Sequence, residues 1–149
     1  MDDLRALYQE VILDHYKRPR HFGALEEANR RAEGTNPLCG DQITVYAKVE
    51  DGVIRDVSFE GMGCAISTAS ASLMTEALSG KTLEEAARMH SVFHRLLTAG
   101  DEVPDIEGLG KLEVLAGVRD FPVRIKCATL AWHALRAALE QSDEPVTTE

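Results

Sequence analysis

The chain contains three cysteines: Cys39 in Cys39-Gly40-Asp41, Cys64 in Gly61-Met62-Gly63-Cys64, and Cys127 in Arg124-Ile125-Lys126-Cys127. Each stands where the residue pattern passes from loop to strand or helix. Three thiolates and the Asp41 carboxylate, brought together, would fill the four tetrahedral positions that zinc takes from sulfur, nitrogen and oxygen donors. The same set suits an iron–sulfur cluster held by cysteines and one oxygen donor. Cys64 precedes a helix and Cys127 lies in the first turns of another. Unpaired amides and the helix dipole favour thiolates at such places. Gly40, Gly61 and Gly63 leave the adjoining turns free of side chains.

A second reading competes. Free cysteines are often small buried hydrophobes, and Cys127 falls on an apolar helical stripe. No pair has C-x-x-C spacing. A buried Asp41 without a partner would, however, be costly, which favours a cation at this place.

Other reactive residues are less telling. His90 and His94 stand four apart on a helix, but no Glu follows His90 and both flank core positions, so a surface or hydrogen-bonded pair is expected. His133 lies on a different face from Cys127 and is assigned no metal. Ser67, Ser70 and Ser72 have no base placed by the sequence and read as small residues that let helices approach. Gly108 and Gly110 lack the Gly-Lys-Ser/Thr of a phosphate loop.

The surrounding chain must position the four donors. Its 149 residues suit one domain, assigned to 1–141, with a polar tail at 142–149. Net charge is −9 and the basic residues are scattered, so nucleic acid is excluded as a partner and a protein with a basic docking surface fits better. No apolar run reaches the length of a membrane span, and the acidic start Met1-Asp2-Asp3 is unlike a signal peptide. A cytoplasmic location follows, where thiols stay reduced. An odd cysteine count also argues against a disulfide framework.

Periodicity predicts a first helix through Leu4, Leu7, Tyr8, Val11 and Ile12, ending near Arg18 because Pro19 follows. Asn29 to Cys39 reads as a loop holding at most one short extended piece. Ile43 to Val49 and Val53 to Phe59 alternate as half-buried strands. A three-residue turn with Gly52 left-handed would pair Val49 with Val53 and keep Val57 and Phe59 in the core. A helix follows Cys64 and ends at Gly80. Thr82-Leu83-Glu84-Glu85 is a capping-box start for the next. Gly100 to Gly110 is an acidic excursion, Leu112 to Leu115 a turn of helix, and Pro122 the first residue of the last helix. The order predicts an α+β fold, with a small antiparallel sheet of about three strands against a helical layer.

Thr35-Asn36-Pro37-Leu38-Cys39-Gly40-Asp41, Gly61-Met62-Gly63-Cys64-Ala65-Ile66-Ser67 with Ala69-Ser70-Ala71-Ser72, and Lys126-Cys127-Ala128 together resemble the NifU/IscU family of iron–sulfur cluster assembly proteins. The likeness runs from about Leu4 to Glu140. Lys126 stands where the scaffold branch has a histidine, and the stretch from Leu97 to Phe121 is longer; both features resemble the SufU-like branch. Phe121-Pro122-Val123-Arg124 replaces the Pro-Pro motif that docks a chaperone in the scaffold branch, so the resemblance does not carry that partner over. It implies zinc held by Cys39, Asp41, Cys64 and Cys127, and Cys39 as the acceptor of persulfide sulfur from a cysteine desulfurase. The sulfur would pass to a downstream iron–sulfur scaffold or apo-protein. The chain would then act as a sulfurtransferase-like activator of the desulfurase rather than a stand-alone enzyme. The alternatives are a scaffold carrying a transient iron–sulfur cluster, and a structural zinc domain for protein binding.

Overall fold

Helices pack on a small mixed sheet, and the helices and the central β-hairpin follow the order that the periodicities predict. The computed structural model describes residues 2–98, 109–141 and 146–147. The elements are α1 (Asp2–Lys17), β1 (Arg30–Asn36), β2 (Asp41–Glu50), β3 (Val53–Met62), α2 (Ala65–Leu78), α3 (Leu83–Thr98), a 3₁₀ segment (Gly110–Asp120), α4 (Pro122–Leu139) and β4 (Val146–Thr147). Most of the acidic excursion expected from Gly100 lies outside the described residues.

The fold class is α+β as expected, but the sheet differs in detail. Among the described residues it has four strands in the order β3-β2-β1-β4, and β4 pairs parallel to β1. Two residues of the polar tail therefore add an edge strand. β1 corrects the reading of Asn29–Cys39 as loop: Arg30 to Asn36 pair antiparallel with Ala47 to Asp41. Its only large-scale apolar signal is Ala32, because its inward positions are small. A Cβ on Gly34 would come within 3.0 Å of Leu130 Cδ1, so glycine here lets α4 lie close on the strand.

The β2–β3 turn also departs from expectation. Asp51 (φ 53°) and Gly52 (φ 74°) are both left-handed, giving a two-residue turn with Glu50 opposite Val53 and Val49 opposite Ile54. A bulge then inserts one residue between the Val49–Ile54 and Lys48–Asp56 pairs. Arg55 and Asp56 are consecutively exposed as a result, and Val57 and Phe59 return to the buried face. Val57 and Phe59 are core residues as predicted, but Ile54 and not Val53 joins them opposite Val49, and the device that puts them there is different.

α4 packs over β1 and β2, α2 lies against α4 and β3, and α1 lies on α2. The core joins Val45, Ala47, Ile54 and Phe59 to Leu73, Met74, Leu130 and Trp132. Trp132 stacks on Phe93 with ring centroids 4.6 Å apart. Its indole N–H donates to Ser70 Oγ (3.2 Å), and Ser70 donates to the Ala128 carbonyl (2.5 Å). Ser70 thus ties α2 to α4, satisfying the buried polar groups that close helix packing would otherwise strand. The capping box is formed as read: Thr82 Oγ1 accepts from Glu85 N (3.1 Å) and Glu85 Oε1 from Thr82 N (3.0 Å).

Candidate metal centre

Three elements meet at one end of the sheet and carry the donors. The β1–β2 hairpin turns through Pro37-Leu38-Cys39-Gly40, with Asn36 opposite Asp41 at its root. Gly40 takes φ 71°, the left-handed conformation that turns the chain between Cys39 and Asp41. Cys39 is exposed at this tip, whereas Asp41 is only 1% exposed. Cys64 stands at the start of α2 as its N-cap, its Sγ accepting from Ser67 N at 3.4 Å. Cys127, in the second turn of α4, is buried.

These side chains converge. Cys127 Sγ lies 3.1 Å from Cys39 Sγ. Asp41 Oδ1 accepts from Cys64 N at 2.9 Å, and Asp41 Oδ2 is 4.0 Å from Cys64 Sγ. Gly63 makes room for this approach, since a Cβ there would stand 2.9 Å from Asp41 Oδ1. Among the described residues, Cys39, Asp41 and Cys127 form the one group of three or more potential metal donors whose ligand atoms all lie within 4.8 Å of one another. Cys64 Sγ sits beside that group, against Asp41.

The electrostatics call for a cation. No positively charged side chain pairs with Asp41 among the described residues. Burial pushes the Cys127 thiol far above its usual range, and the neighbouring Cys39, Cys64 and Asp41 push it in the same direction. Four acidic groups packed this closely ionise together only if a positive charge joins them. Three sulfurs and one oxygen suit a borderline-soft divalent ion.

The other histidine candidates come together elsewhere. His133 reaches across from α4 to α3, its ring centroid 5.3 Å from that of His90 and 5.9 Å from that of His94. The three line a cleft of about 630 Å³ between the helices. Their nitrogens do not close on one point within 4.8 Å. Burial, with His133 beside it, depresses the His90 pKa to about 4, so it is neutral at pH 7. Ser67, Ser70 and Ser72 are buried, and the hydroxyls of Ser70 and Ser72 are taken up in structural hydrogen bonds, Ser72 Oγ with His15 Nδ1 at 2.7 Å and accepting from Arg20 N at 2.8 Å. Asn36, quoted above only as part of the Cys39 motif, is a fully buried strand residue whose side-chain amide donates to Cys127 Sγ at 3.4 Å. Its place just before Pro37 was the only local signal.

The sequence matches the NifU-like N terminal domain over residues 7–128, a span that includes all three cysteines and Asp41. The chain belongs to this family. This NifU-like chain is 45% identical over 142 residues to the iron–sulfur cluster assembly scaffold protein IscU of Streptococcus pyogenes serotype M1, across 95% of this chain and 88% of that protein. It is 44% identical over 141 residues to the zinc-dependent sulfurtransferase SufU of Bacillus subtilis strain 168, across 95% of both. A SUF-system protein from Fervidobacterium islandicum AW-1 has a similar crystal structure, with TM-score 0.83 and 39% identity over 90% of this chain and 97% of that one.

Proposed function

We propose that this NifU-like protein serves iron–sulfur cluster assembly as a zinc-bound sulfur acceptor. In this reading Cys39, Asp41, Cys64 and Cys127 hold the metal, and Cys39 receives persulfide sulfur from a cysteine desulfurase. The observation that carries it is the contrast within one 3.1 Å pair: Cys39 is exposed on a hairpin tip while Cys127 is buried in a helix. The kinship with a protein named a zinc-dependent sulfurtransferase supports it. The donor set fits zinc, which takes sulfur and carboxylate oxygen in four-coordinate sites.

Zinc, when bound, would supply the charge that keeps the thiols ionised at neutral pH. The chain's own residues do the rest. Cys64 and Cys127 are fixed by the helices that carry them, whereas Cys39 rides on an exposed four-residue turn, so Cys39 is the thiolate free to move. It attacks the terminal sulfur of the desulfurase persulfide. The donor's S–S bond breaks, its cysteine leaves as a thiolate, and the terminal sulfur with its proton now sits on Cys39. Asp41, an oxygen donor among sulfurs, is the most readily exchanged of the remaining three. Leu38, Met62, Phe121 and Val123 are exposed on the segments that carry the donors, which favours a protein docking over this end of the fold.

A second reading is a scaffold that builds a cluster on the same residues, favoured by the kinship with proteins named IscU scaffolds. Incubation with a desulfurase and free cysteine separates the two. Persulfide on Cys39 with faster desulfurase turnover is expected. No acceleration at saturating protein, together with a visible cluster on anaerobic reconstitution that passes intact to an apo-protein, would instead establish the scaffold.

A further inference from the structure

Asn36 links the β1–β2 hairpin, which carries Cys39 and Asp41, to Cys127 on α4. Its main-chain carbonyl accepts from Cys39 N at 3.2 Å, closing the turn that carries the exposed thiol. It faces Asp41 across the β1–β2 ladder, and both side chains are buried. Its side-chain Nδ2 donates to Cys127 Sγ at 3.4 Å, within normal range for a sulfur acceptor. Its Oδ1 is buried without a partner. A polar side chain this deeply buried, with half its amide unsatisfied, is a costly choice for packing alone.

The donation has a chemical consequence. Cys39 and Cys127 Sγ are close neighbours, yet only Cys127 receives this N–H bond. A sulfur that shares its lone pair with a donor carries less charge and attacks electrophiles less readily. A metal-bound thiolate so held remains a ligand, while its unbonded neighbour stays the better nucleophile.

We propose that Asn36 is a positioning residue that, through its N–H···S bond, holds Cys127 as the permanent metal anchor and leaves sulfur acceptance to Cys39. This rests on the zinc-bound acceptor reading above. The bond orients Cys127 toward the shared site, and the carbonyl of the same residue fixes the Cys39 turn. One buried amide thereby makes two adjacent cysteines unequal.

Three measurements test it. Asn36→Leu keeps the volume and removes the donor; Asn36→Asp keeps the shape and places acceptors against sulfur. Both are expected to bind zinc about 10–100-fold more weakly in competition with a chelator, Asp the more severely. In cobalt-substituted protein the thiolate-to-metal charge-transfer band of Asn36→Leu should move to lower energy, because its sulfur has lost the hydrogen bond. In wild-type protein loaded with NMR-active cadmium, the Asn36 side-chain amide proton should show scalar coupling to the metal through Cys127 Sγ. That third readout needs no variant to fold. Unchanged affinity and band position in either folded variant, or no coupling in the wild type, overturns the assignment. Failure of the wild type to bind any of these metals overturns the zinc-site reading instead.

Discussion

Cys39 Sγ and Cys127 Sγ stand 3.1 Å apart although 88 residues separate them in the chain. One is carried on an exposed hairpin turn and the other on the buried side of α4. The two atoms are otherwise identical, so their settings are what distinguish them.

Replacement of the exposed partner should separate function from folding. Cys39→Ser is expected to leave the unfolding free energy of metal-free protein within about 0.5 kcal/mol of the parent, as for other exposed substitutions. It should abolish persulfide formation in the desulfurase assay. Mass spectrometry of the intact protein, with chemical denaturation beside it, checks both parts; sulfur retained on Cys39→Ser would move the acceptor role to another cysteine.

Gly63→Ala should damage the metal site with little change elsewhere. The added Cβ would meet Asp41 Oδ1 at 2.9 Å and Ser67 Oγ at 3.1 Å, so Asp41 must leave its place beside Cys64 N. Zinc affinity is expected to fall about tenfold or more, as when other groups supporting a metal site are displaced. Chelator competition measures it, and parent-like affinity would show that Asp41 does not need its present position.

Ser70→Ala removes the hydroxyl shared by Trp132 Nε1 and the Ala128 carbonyl. The buried indole N–H then has no partner, while the Ala128 carbonyl keeps its place in the α4 ladder, and the expected loss is about 1–3 kcal/mol. A lower urea midpoint at unchanged m-value would confirm the α2–α4 tie. An unchanged midpoint would mean that water replaces the hydroxyl.

The histidines predict a pH dependence in metal-free protein. The folded-state pKa of His90 is depressed from 6.5 to about 4, and burial also lowers His15 and His133. The unfolded chain takes up these protons near pH 6.5, while the folded chain resists until lower pH. The histidine contribution to unfolding free energy is therefore level above about pH 7 and falls as pH drops from 6.5 toward 4. Denaturant midpoints across that range record the slope, and His90→Leu should flatten it. Equal midpoints at both ends would show that these groups titrate normally in the fold.

Much of this was visible in the chain. The capping box at Thr82–Glu85, the stop before Pro19 and the start at Pro122 are local contacts, and residues a few positions apart decide them. The apolar stripe of α4 already placed Cys127 inward. The donor types were also fixed in advance, because three cysteines and an aspartate flanked by glycines narrow the chemistry whatever the fold.

The tertiary structure decided the rest, and in each case the cause is a distant partner. β1 shows little strand character of its own, since Gly34 is small to admit Leu130 and Ala134 from α4 and Ala32 packs against Ala137 and Ala138. The bulge near Val49 depends on how a two-residue turn is reconciled with burial of Val57 and Phe59. His133 meets His90 and His94 only because α4 crosses α3. Asn36 gains its link to Cys127 across 91 residues. Sequence by itself determined which atoms are available for metal and sulfur chemistry, because local identity and periodicity set them. Only the tertiary structure set the buried Cys127 thiol 3.1 Å from the exposed Cys39, because proximity across 88 residues is a property of what the rest of the chain brings alongside.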